Sequence, residues 1–299
     1  MLYDPFLKTN TFKKLYPFSS HFMKIRGLDY HYLDEGSGES VVMLHGNPTW
    51  SFYYRFLVKG LSPKYRCLVP DHIGCGLSEK PDETQYDFRL KNRVEDLEIF
   101  LDRLNIKKNI TLILHDWGGM IGMAYAVRHP ERIKRLVILN TAAFFPSKKK
   151  KLPIRLQIAR NLTFIAKPAI LNFNLFAIAA LYMAGKKGLD KETKKALIAP
   201  YNSPENRLAI LKFVQDIPLI PFDFSYSVVS STERNLFKLK DKPMLICWGM
   251  KDFVFDEDFL LQWQQRFPDA QVYRFSKAGH YILEDIPEKV LKHINQFLK

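Results

Sequence analysis

One short segment combines a buried strand, a sharp turn and an acidic residue. The chain reads ITLILHDWGGMIG here, so a continuous apolar stretch ends at Asp116 and the pair Gly118 and Gly119 follows closely. This pattern fits the strand–turn–helix nucleophile elbow G-x-S-x-G, with Leu114, Asp116 and Gly118 at its three marked positions. A carboxylate at the tip of such a turn can attack an sp³ carbon and form an alkyl-enzyme ester. Because an Asp before a helix is also a common N-cap, a purely structural role for Asp116 stays open at this point.

A second segment supplies hydrogen-bond donors. The chain reads VVMLHGNPTWS, again a strand that runs into a loop, and Asn47 offers a side-chain NH₂ there. Trp117, directly after Asp116, offers an indole N–H that can only donate. Two such donors in an apolar pocket can hold a departing halide or a carboxylate oxygen. An ordinary turn at Asn47 is the alternative, and its pairing with the elbow makes that alternative the weaker one.

A third segment provides a base. His280 lies in FSKAGHYILED, where the last predicted strand ends, and the order nucleophile–acid–base places the base near the C-terminus. For the acid, the position after the sixth strand is Asn140, which carries no charge, whereas Asp252 directly follows the seventh strand. Asp256 is a second choice, although it lies where it can cap the next helix. We therefore predict a catalytic set of Asp116, His280 and Asp252.

The elements around these segments alternate between strand and helix. The opening runs HFMKIRG and LDYHYLDEG predict an antiparallel edge hairpin, and helical periodicity covers 90–104, 259–267 and 287–298. Six further runs have the apolar character of strands buried on both faces: 40–44, 66–70, 110–114, 136–140, 243–248 and 271–275. The sequence therefore predicts an α/β fold with an eight-stranded, mostly parallel sheet.

The alternation stops between residues 142 and 239. This segment has helical patterning throughout, broken by prolines and by Gly185 and Gly188. We predict a helical cap at 142–239, inserted after the sixth strand into a core formed by 1–141 and 240–299. Function is then expected under the cap, at the carboxyl ends of the strands.

Composition and charge narrow the class of protein. The 299 residues are 47% hydrophobic and 25% charged, which is typical of a globular chain. The net charge of +14 is interpreted as a lysine-rich solvated surface, because lysines occur over most of the chain, so no nucleic-acid partner is expected. Four consecutive lysines at 148–151, with Arg155, raise the alternative of contact with anionic lipid, which we disfavour against a solvated run. No metal or cofactor is predicted.

Cysteine usage and hydropathy bear on location. Three scattered cysteines, without C-x-x-C spacing, predict a reduced cytoplasmic protein. No continuous apolar stretch near the N-terminus suggests a signal peptide. The uncharged run 168–185 is at the lower limit for a bilayer span but contains Asn172 and Asn174. It is interpreted as a helix that is buried or faces a second copy of the chain, and no membrane contact is expected.

Together the motifs resemble the haloalkane dehalogenase superfamily of α/β-hydrolases, from about Tyr16 to Leu298, with HGNPTWS and HDWGG as the specific pair. The resemblance implies that Asp116 is the nucleophile, that His280 activates water, and that Asp252 orients His280. It also implies that Asn47 and Trp117 hold the leaving group, halide included, as in the third dehalogenase subgroup.

Epoxide hydrolases share HDWGG-like elbows and rely on lid tyrosines. Tyr182 and Tyr201 lie in the predicted cap, so an epoxide hydrolase remains a second alternative.

A sharper resemblance is to the β-lactone decarboxylases of bacterial long-chain olefin synthesis. It rests on CLVPDHIGCGLSEKP, NTAAFF, APYNSPENRL, FVQDIPL and WGMKDFVFD. Both families imply the same Asp, His, Asn and Trp and a small hydrophobic substrate, but only the dehalogenase needs a hydrolytic water. The prediction is dehalogenase-type hydrolysis, with β-lactone decarboxylation as its near-equal rival. A fold that has lost its chemistry is disfavoured, because all five side chains are present.

Overall fold

One twisted sheet forms the centre of the molecule. A computed structural model describes residues 4–147 and 152–299. Within these residues eight strands occur: β1 (His21–Ile25), β2 (Leu28–Glu35), β3 (Ser40–Leu44), β4 (Arg66–Pro70), β5 (Ile110–His115), β6 (Ile133–Leu139), β7 (Met244–Gly249) and β8 (Gln271–Phe275). Their order is β1-β2-β4-β3-β5-β6-β7-β8, antiparallel at β1–β2 and β2–β4 and parallel elsewhere. The predicted fold class is confirmed.

Helices fill the connections between the strands. In chain order they are α1 (Asn10–Leu15), α2 (Arg55–Leu61), α3 (Leu90–Arg103), α4 (Trp117–Arg128), α5 (Ile154–Asn161), α6 (Thr163–Lys167), α7 (Leu175–Met183), α8 (Lys191–Ile198), α9 (Leu208–Gln215), α10 (Tyr226–Asn235), α11 (Glu257–Arg266), α12 (Ile282–Asp285) and α13 (Pro287–Phe297). The helices predicted at 90–104, 259–267 and 287–298 correspond to α3, α11 and α13.

The sheet separates two apolar cores. Neighbouring strand residues point to opposite faces, so Leu112 of β5 packs into the core beneath α3, α4 and α11, and Ile113 packs into the core beneath α2 and α13. All six residues of β5 are buried. The nucleophile segment is therefore attached to the most enclosed part of the sheet.

The prediction that all six apolar runs are buried on both faces was wrong for β8. Gln271 and Arg274 of this strand are exposed. The reason is that β8 is an edge strand that pairs only with β7. Its loop to α12 nevertheless carries His280 toward the centre of the molecule.

Between β6 and β7 every described element is helical, from α5 to α10. The uncharged run 168–185, predicted as one helix, is two segments instead. A π-helical turn over Pro168–Asn172 is followed by a break at Asn174, whose φ of 53° is left-handed, and then by α7. Asn tolerates this conformation better than most residues. The lysines at 148–151 lie outside the described residues.

Hydropathy of the helices gives one further result. Among the described residues, no single helix has both the length and the apolar composition of a bilayer span. Thr163–Asn172 and Leu175–Met183 reach them only together, as a pair bent by 77°.

Candidate active site

Asp116 occupies a sharp turn between β5 and α4. Its backbone has φ 51° and ψ −128°, a conformation that is costly for a residue with a side chain. The turn brings α4 so close to β3 that a Cβ on Gly118 would lie 1.9 Å from the carbonyl oxygen of Leu44. The Asp116 side chain makes no capping hydrogen bond to α4. The geometry is therefore that of an elbow that presents a carboxylate, rather than that of an N-cap.

The Asp116 carboxylate is buried and partly solvated by backbone groups. Its Oδ1 accepts the backbone N–H of Asn47 at 2.7 Å, and its Oδ2 lies 3.6 Å from Nε2 of His280. Burial raises the pKa of Asp116, because it disfavours the charged form, while His280 and the N–H groups of Asn47 and Trp117 oppose that rise. These three groups help to keep a buried nucleophile ionised.

His280 is held between two carboxylates. Its Nδ1 lies 2.7 Å from Oδ2 of Asp252, and Oδ1 of Asp252 accepts the backbone N–H groups of Val254 at 2.7 Å and Phe255 at 3.1 Å. Burial lowers the pKa of His280, but the charges of Asp252 and Asp116 and the hydrogen bond to Asp252 outweigh it, so the net shift is upward. The structure thus brings Asp116, His280 and Asp252 into one line of contacts.

The other two acid candidates have different partners. Asn140 exchanges two hydrogen bonds with the backbone of Gly249, at 2.8 and 3.0 Å, and so ties the end of β6 to the end of β7. Asp256 accepts the backbone N–H of Asp258 at 3.2 Å and caps α11. Asp252 is the carboxylate that hydrogen-bonds to His280.

Asn47 and Trp117 both line the pocket above Asp116. The Trp117 ring packs 5.2 Å from the ring of Phe213 in α9. The Asn47 amide also contacts α9, because its Nδ2 donates to the carbonyl oxygen of Ile210 at 3.1 Å. Its Oδ1 is buried without a hydrogen-bond partner. One amide hydrogen of Asn47 therefore bonds to α9, and the second remains available to donate to a ligand.

The pocket has a volume of about 510 Å³. Among the described residues, the ionisable side chains that line it are those of Asp116, His280 and Arg155. Most of the described wall is aliphatic or aromatic, with Met120, Phe144 and further residues from β6–α5, α7, α9 and the loop after β7. Such a wall fits an alkyl chain and excludes competing water from the carboxylate. Over residues 4–147 and 152–299, no group of three or more His, Cys, Asp or Glu side chains is placed to hold a metal ion.

His115 is a site residue that the sequence reasoning missed. Its Nε2–H donates to the backbone oxygen of His280 at 2.8 Å, and the two rings lie 4.6 Å apart. Burial lowers the pKa of His115 well below its usual range, so it is a neutral support for the loop of His280. Its position directly before Asp116 was the available signal.

Asp285 is a second missed residue. Its Oδ2 accepts the backbone N–H of Gly279 at 2.8 Å, and its Oδ1 accepts those of Lys186 and Lys187 at 2.7 and 2.8 Å. One carboxylate therefore joins the loop of His280 to the chain just after α7. Nothing in the local pattern HYILED distinguishes Asp285 from an ordinary helix residue.

Neither Tyr182 nor Tyr201 lines the pocket. Tyr182 is 67% exposed, with the ammonium of Lys194 4.3 Å from its ring centre. Tyr201 is buried and its hydroxyl donates to the carbonyl oxygen of Thr49 at 3.3 Å. Of the tyrosines that the structure describes, Tyr281, beside His280, is the one that lines the pocket. The epoxide hydrolase alternative thus loses the feature on which it rested.

The fold and the elbow define the class. The chain matches the α/β-hydrolase fold family over residues 39–287 and belongs to it. It is 54% identical to a cis-3-alkyl-4-alkyloxetan-2-one decarboxylase of Shewanella oneidensis, over 95% of this chain and 89% of that protein. It is 42% identical to the decarboxylase of the same name from Xanthomonas campestris, over 95% and 97%. It is 30% identical to haloalkane dehalogenase 2 of Mycobacterium bovis, over 93% and 94%.

Solved structures agree in fold. Haloalkane dehalogenase DbeA from Bradyrhizobium elkani superposes with a TM-score of 0.85 at 24% identity and covers 94% of this chain and 97% of its own. Haloalkane dehalogenase DatA from Agrobacterium tumefaciens superposes with a TM-score of 0.83 at 24% identity and covers 94% of this chain and 96% of its own. The resemblance predicted from the motifs is confirmed, and the relatives carry the names of enzymes.

Gly46 leaves no room for a side chain beside the nucleophile. A Cβ built there would lie 2.0 Å from Oδ1 of Asp116. We expect Gly46→Ala to displace the carboxylate and to lower kcat/KM with a haloalkane or a β-lactone by about 10²-fold, as a misplacement of about 1 Å can do. Gly185→Ala is the matched control, because its Cβ would lie at an ordinary van der Waals distance of 3.4 Å from Oδ1 of Asp285. Equal kcat/KM for the two variants would contradict the assigned contact.

Proposed function

We propose that this chain is a cis-3-alkyl-4-alkyloxetan-2-one decarboxylase, which converts a β-lactone with two alkyl substituents into a cis-alkene and CO₂. The observation that carries the proposal is 54% identity over 95% of the chain to a relative of that name, against 30% to a haloalkane dehalogenase. The apolar pocket of about 510 Å³ around a single buried Asp116 supports a substrate with alkyl chains.

In the first step, Asp116 acts as the nucleophile. One of its oxygens attacks the sp³ ring carbon that is bonded to the ring oxygen, and the bond from that carbon to the ring oxygen breaks. An alkyl-enzyme ester forms, with inversion at the attacked carbon. The electron pair of the broken bond stays on the former ring oxygen, now part of a β-carboxylate. The free amide hydrogen of Asn47 and the indole N–H of Trp117 are the donors available to this developing charge.

In the second step, the ester fragments. The bond between the carboxylate carbon and its neighbour breaks, CO₂ leaves, and the electron pair forms the alkene while the Asp116 carboxylate is expelled. Inversion followed by anti elimination gives a cis-alkene from a cis-lactone. No water enters, so Asp116 is regenerated without hydrolysis. Protonated His280, paired with the Asp252 carboxylate, places a positive charge near the departing Asp116 carboxylate and so favours its expulsion.

Haloalkane dehalogenation is the second candidate, favoured by the Asp116–His280–Asp252 line of contacts. Here Asp116 displaces a halide held by Asn47 and Trp117, and His280 takes a proton from the water that attacks the ester. For either function, we propose that the protein acts in the cytoplasm. In both, residues 142–239 form a cap on a core of 1–141 and 240–299.

Product analysis tests the proposal. The purified protein is offered a cis-dialkyl β-lactone and, separately, a long-chain bromoalkane. We expect alkene and CO₂ from the lactone, with bromide release slower by at least about tenfold. Alcohol and bromide from the bromoalkane, with no alkene from the lactone, would overturn the decarboxylase proposal and favour the dehalogenase.

A further inference from the structure

Exposed apolar side chains are concentrated in one part of the molecule. Of the seventeen large apolar side chains that are exposed in the described residues, twelve fall within residues 154–224. Six of these side chains, on α5, α6, α7 and in the loop after α9, form what we term the cap apolar face: Ile154, Phe164, Leu175, Ile178, Tyr182 and Phe222. Clustered exposure of this kind marks a contact surface, whereas singly scattered residues do not.

Helix α7 shows how this surface arises. Ala177 and Leu181 are buried on its inner side, while Leu175, Ile178 and Tyr182 recur at spacings of three and four and are exposed on its outer side. A helix that is apolar around its whole circumference is normally buried all round. The exposed apolar side chains on the outer side of α7 therefore lack the packing partners that a helix of this composition normally has.

Contacts between the elements place the exposed side chains on neighbouring parts of the cap. At one end of α5, Arg155 lies 3.1 Å from the sulfur of Met183 at the end of α7. At the other end, Arg160 donates to the carbonyl oxygen of Ile217 at 2.7 Å and pairs with Asp223 at 2.5 Å. Helix α5 is thus in contact both with α7 and with the loop that carries Phe222.

The part of the chain that contains this face also carries most of the net positive charge. Residues 142–239 contain sixteen Lys and Arg against six Asp and Glu, which is ten of the fourteen net positive charges of the chain. No acidic residue occurs between residues 132 and 189. Among the basic residues, Lys167, Lys186 and Lys187 are exposed next to α6 and α7. An apolar surface bordered by cations matches the chemistry of an anionic lipid surface.

The pocket reaches this surface. Ile154 lines the pocket and is also 72% exposed, and Phe253, 41% exposed, lines it as well. Leu219 is part of the wall, and the exposed Ile220 follows it directly. The mouth of the pocket is therefore continuous with the cap apolar face.

In place of the sequence-based expectation of no membrane contact, we propose that the cap apolar face docks onto the surface of an anionic lipid bilayer, so that the pocket opens toward the lipid. A second copy of the chain fits less well, because residues 142–239 carry sixteen Lys and Arg against six Asp and Glu, so a symmetric contact would bring together surfaces with an excess of the same charge. Docking by insertion of Phe222, Phe164 and their neighbours, with lysines against the headgroups, satisfies both the apolar and the charged part of the surface.

Vesicle co-sedimentation tests the docking. The anionic vesicles contain about 30–50% phosphatidylglycerol, which gives them a negative surface. We expect the full chain to bind them at least about tenfold more tightly than it binds vesicles of pure phosphatidylcholine, and we expect this difference to be lost in high salt. The double variant Phe164→Ser, Phe222→Ser should weaken binding at least about tenfold. Leu261→Ser, which removes a 47% exposed side chain of α11 outside the cap, should bind as the unmodified protein does.

Two results would overturn the docking proposal. One is equal binding of both vesicle types or of all variants. The other is a dimer in analytical ultracentrifugation that the double variant abolishes, without any vesicle binding, which would assign the face to a second copy. Circular dichroism of each variant checks that it is folded. Because vesicle binding is measured without substrate, its outcome is independent of the decarboxylase proposal.

Discussion

Asp116→Asn should lower turnover of both a β-lactone and a haloalkane by roughly 10³-fold or more, the scale on which loss of a nucleophile acts. The reason is geometric as well as chemical. The carboxylate stands on the left-handed turn after β5, 3.6 Å from Nε2 of His280, at the base of the apolar pocket. An amide has the same shape and still accepts the N–H of Asn47, but it is a far weaker nucleophile.

The thermal stability of Asp116→Asn shows whether a loss of activity comes from the missing nucleophile or from unfolding. Burial raises the pKa of Asp116 in the folded protein, so the native state binds that proton more tightly than the unfolded chain does. Ionised Asp116 therefore lowers the free energy of unfolding at neutral pH. This cost decreases as the pH falls through the folded pKa and is gone below the pKa of the unfolded chain. We expect the Tm of Asp116→Asn at pH 7 to equal or exceed that of the unmodified protein. An active variant, or an inactive one with a lowered Tm, would contradict the role of Asp116.

His280→Phe should separate the two chemistries. With a haloalkane, the first step needs only Asp116, so one halide is released and the reaction stops at an alkyl ester. Mass spectrometry of the protein should then show the added alkyl group on Asp116. With a β-lactone, fragmentation requires no water, and alkene formation should continue at a rate reduced by about 10- to 100-fold, because the positive charge beside the leaving carboxylate is gone.

A matched control is His293→Phe, since His293 stacks on Tyr273 and does not line the pocket. It should leave both reactions within about twofold of the unmodified protein. Full haloalkane turnover by His280→Phe would show that His280 does not activate water. Complete loss of alkene formation, with an intact fold, would show that decarboxylation depends on the base and would require a different second step.

The parts of the site that the sequence predicted are those with a local signature. The strand before Asp116, the glycines after it, and the polar residue that follows each strand are all visible in the order of the residues. The sheet follows from apolar runs of strand length, and the choice of Asp252 over Asn140 follows from charge alone. Each of these inferences needs only neighbours along the chain.

The features that were missed depend on contacts between distant segments. Nothing near Asn47 indicates that its amide donates to Ile210, 163 positions later. Asp285 looks like any acidic residue of a short helix, because its partners Lys186 and Lys187 lie in another part of the chain. The break at Asn174 is equally hidden, since a left-handed residue within an apolar run is set by packing. The exposure of the edge strand β8 depends on its place in the sheet.

The link through Asp285 has a consequence for anyone who exchanges segments between relatives. Asp285 binds the backbone after α7 and the loop of His280 at once, and the N–H of Tyr281 also donates to the carbonyl oxygen of Ala184 at 3.0 Å. A chimera that received residues 142–239 from another enzyme would have different residues lining the pocket and also different backbone contacts to the loop of His280. Substrate range and proton chemistry are therefore inherited together in this molecule, and a transplant that alters one without retuning the other has to preserve the backbone path from Ala184 to Lys187.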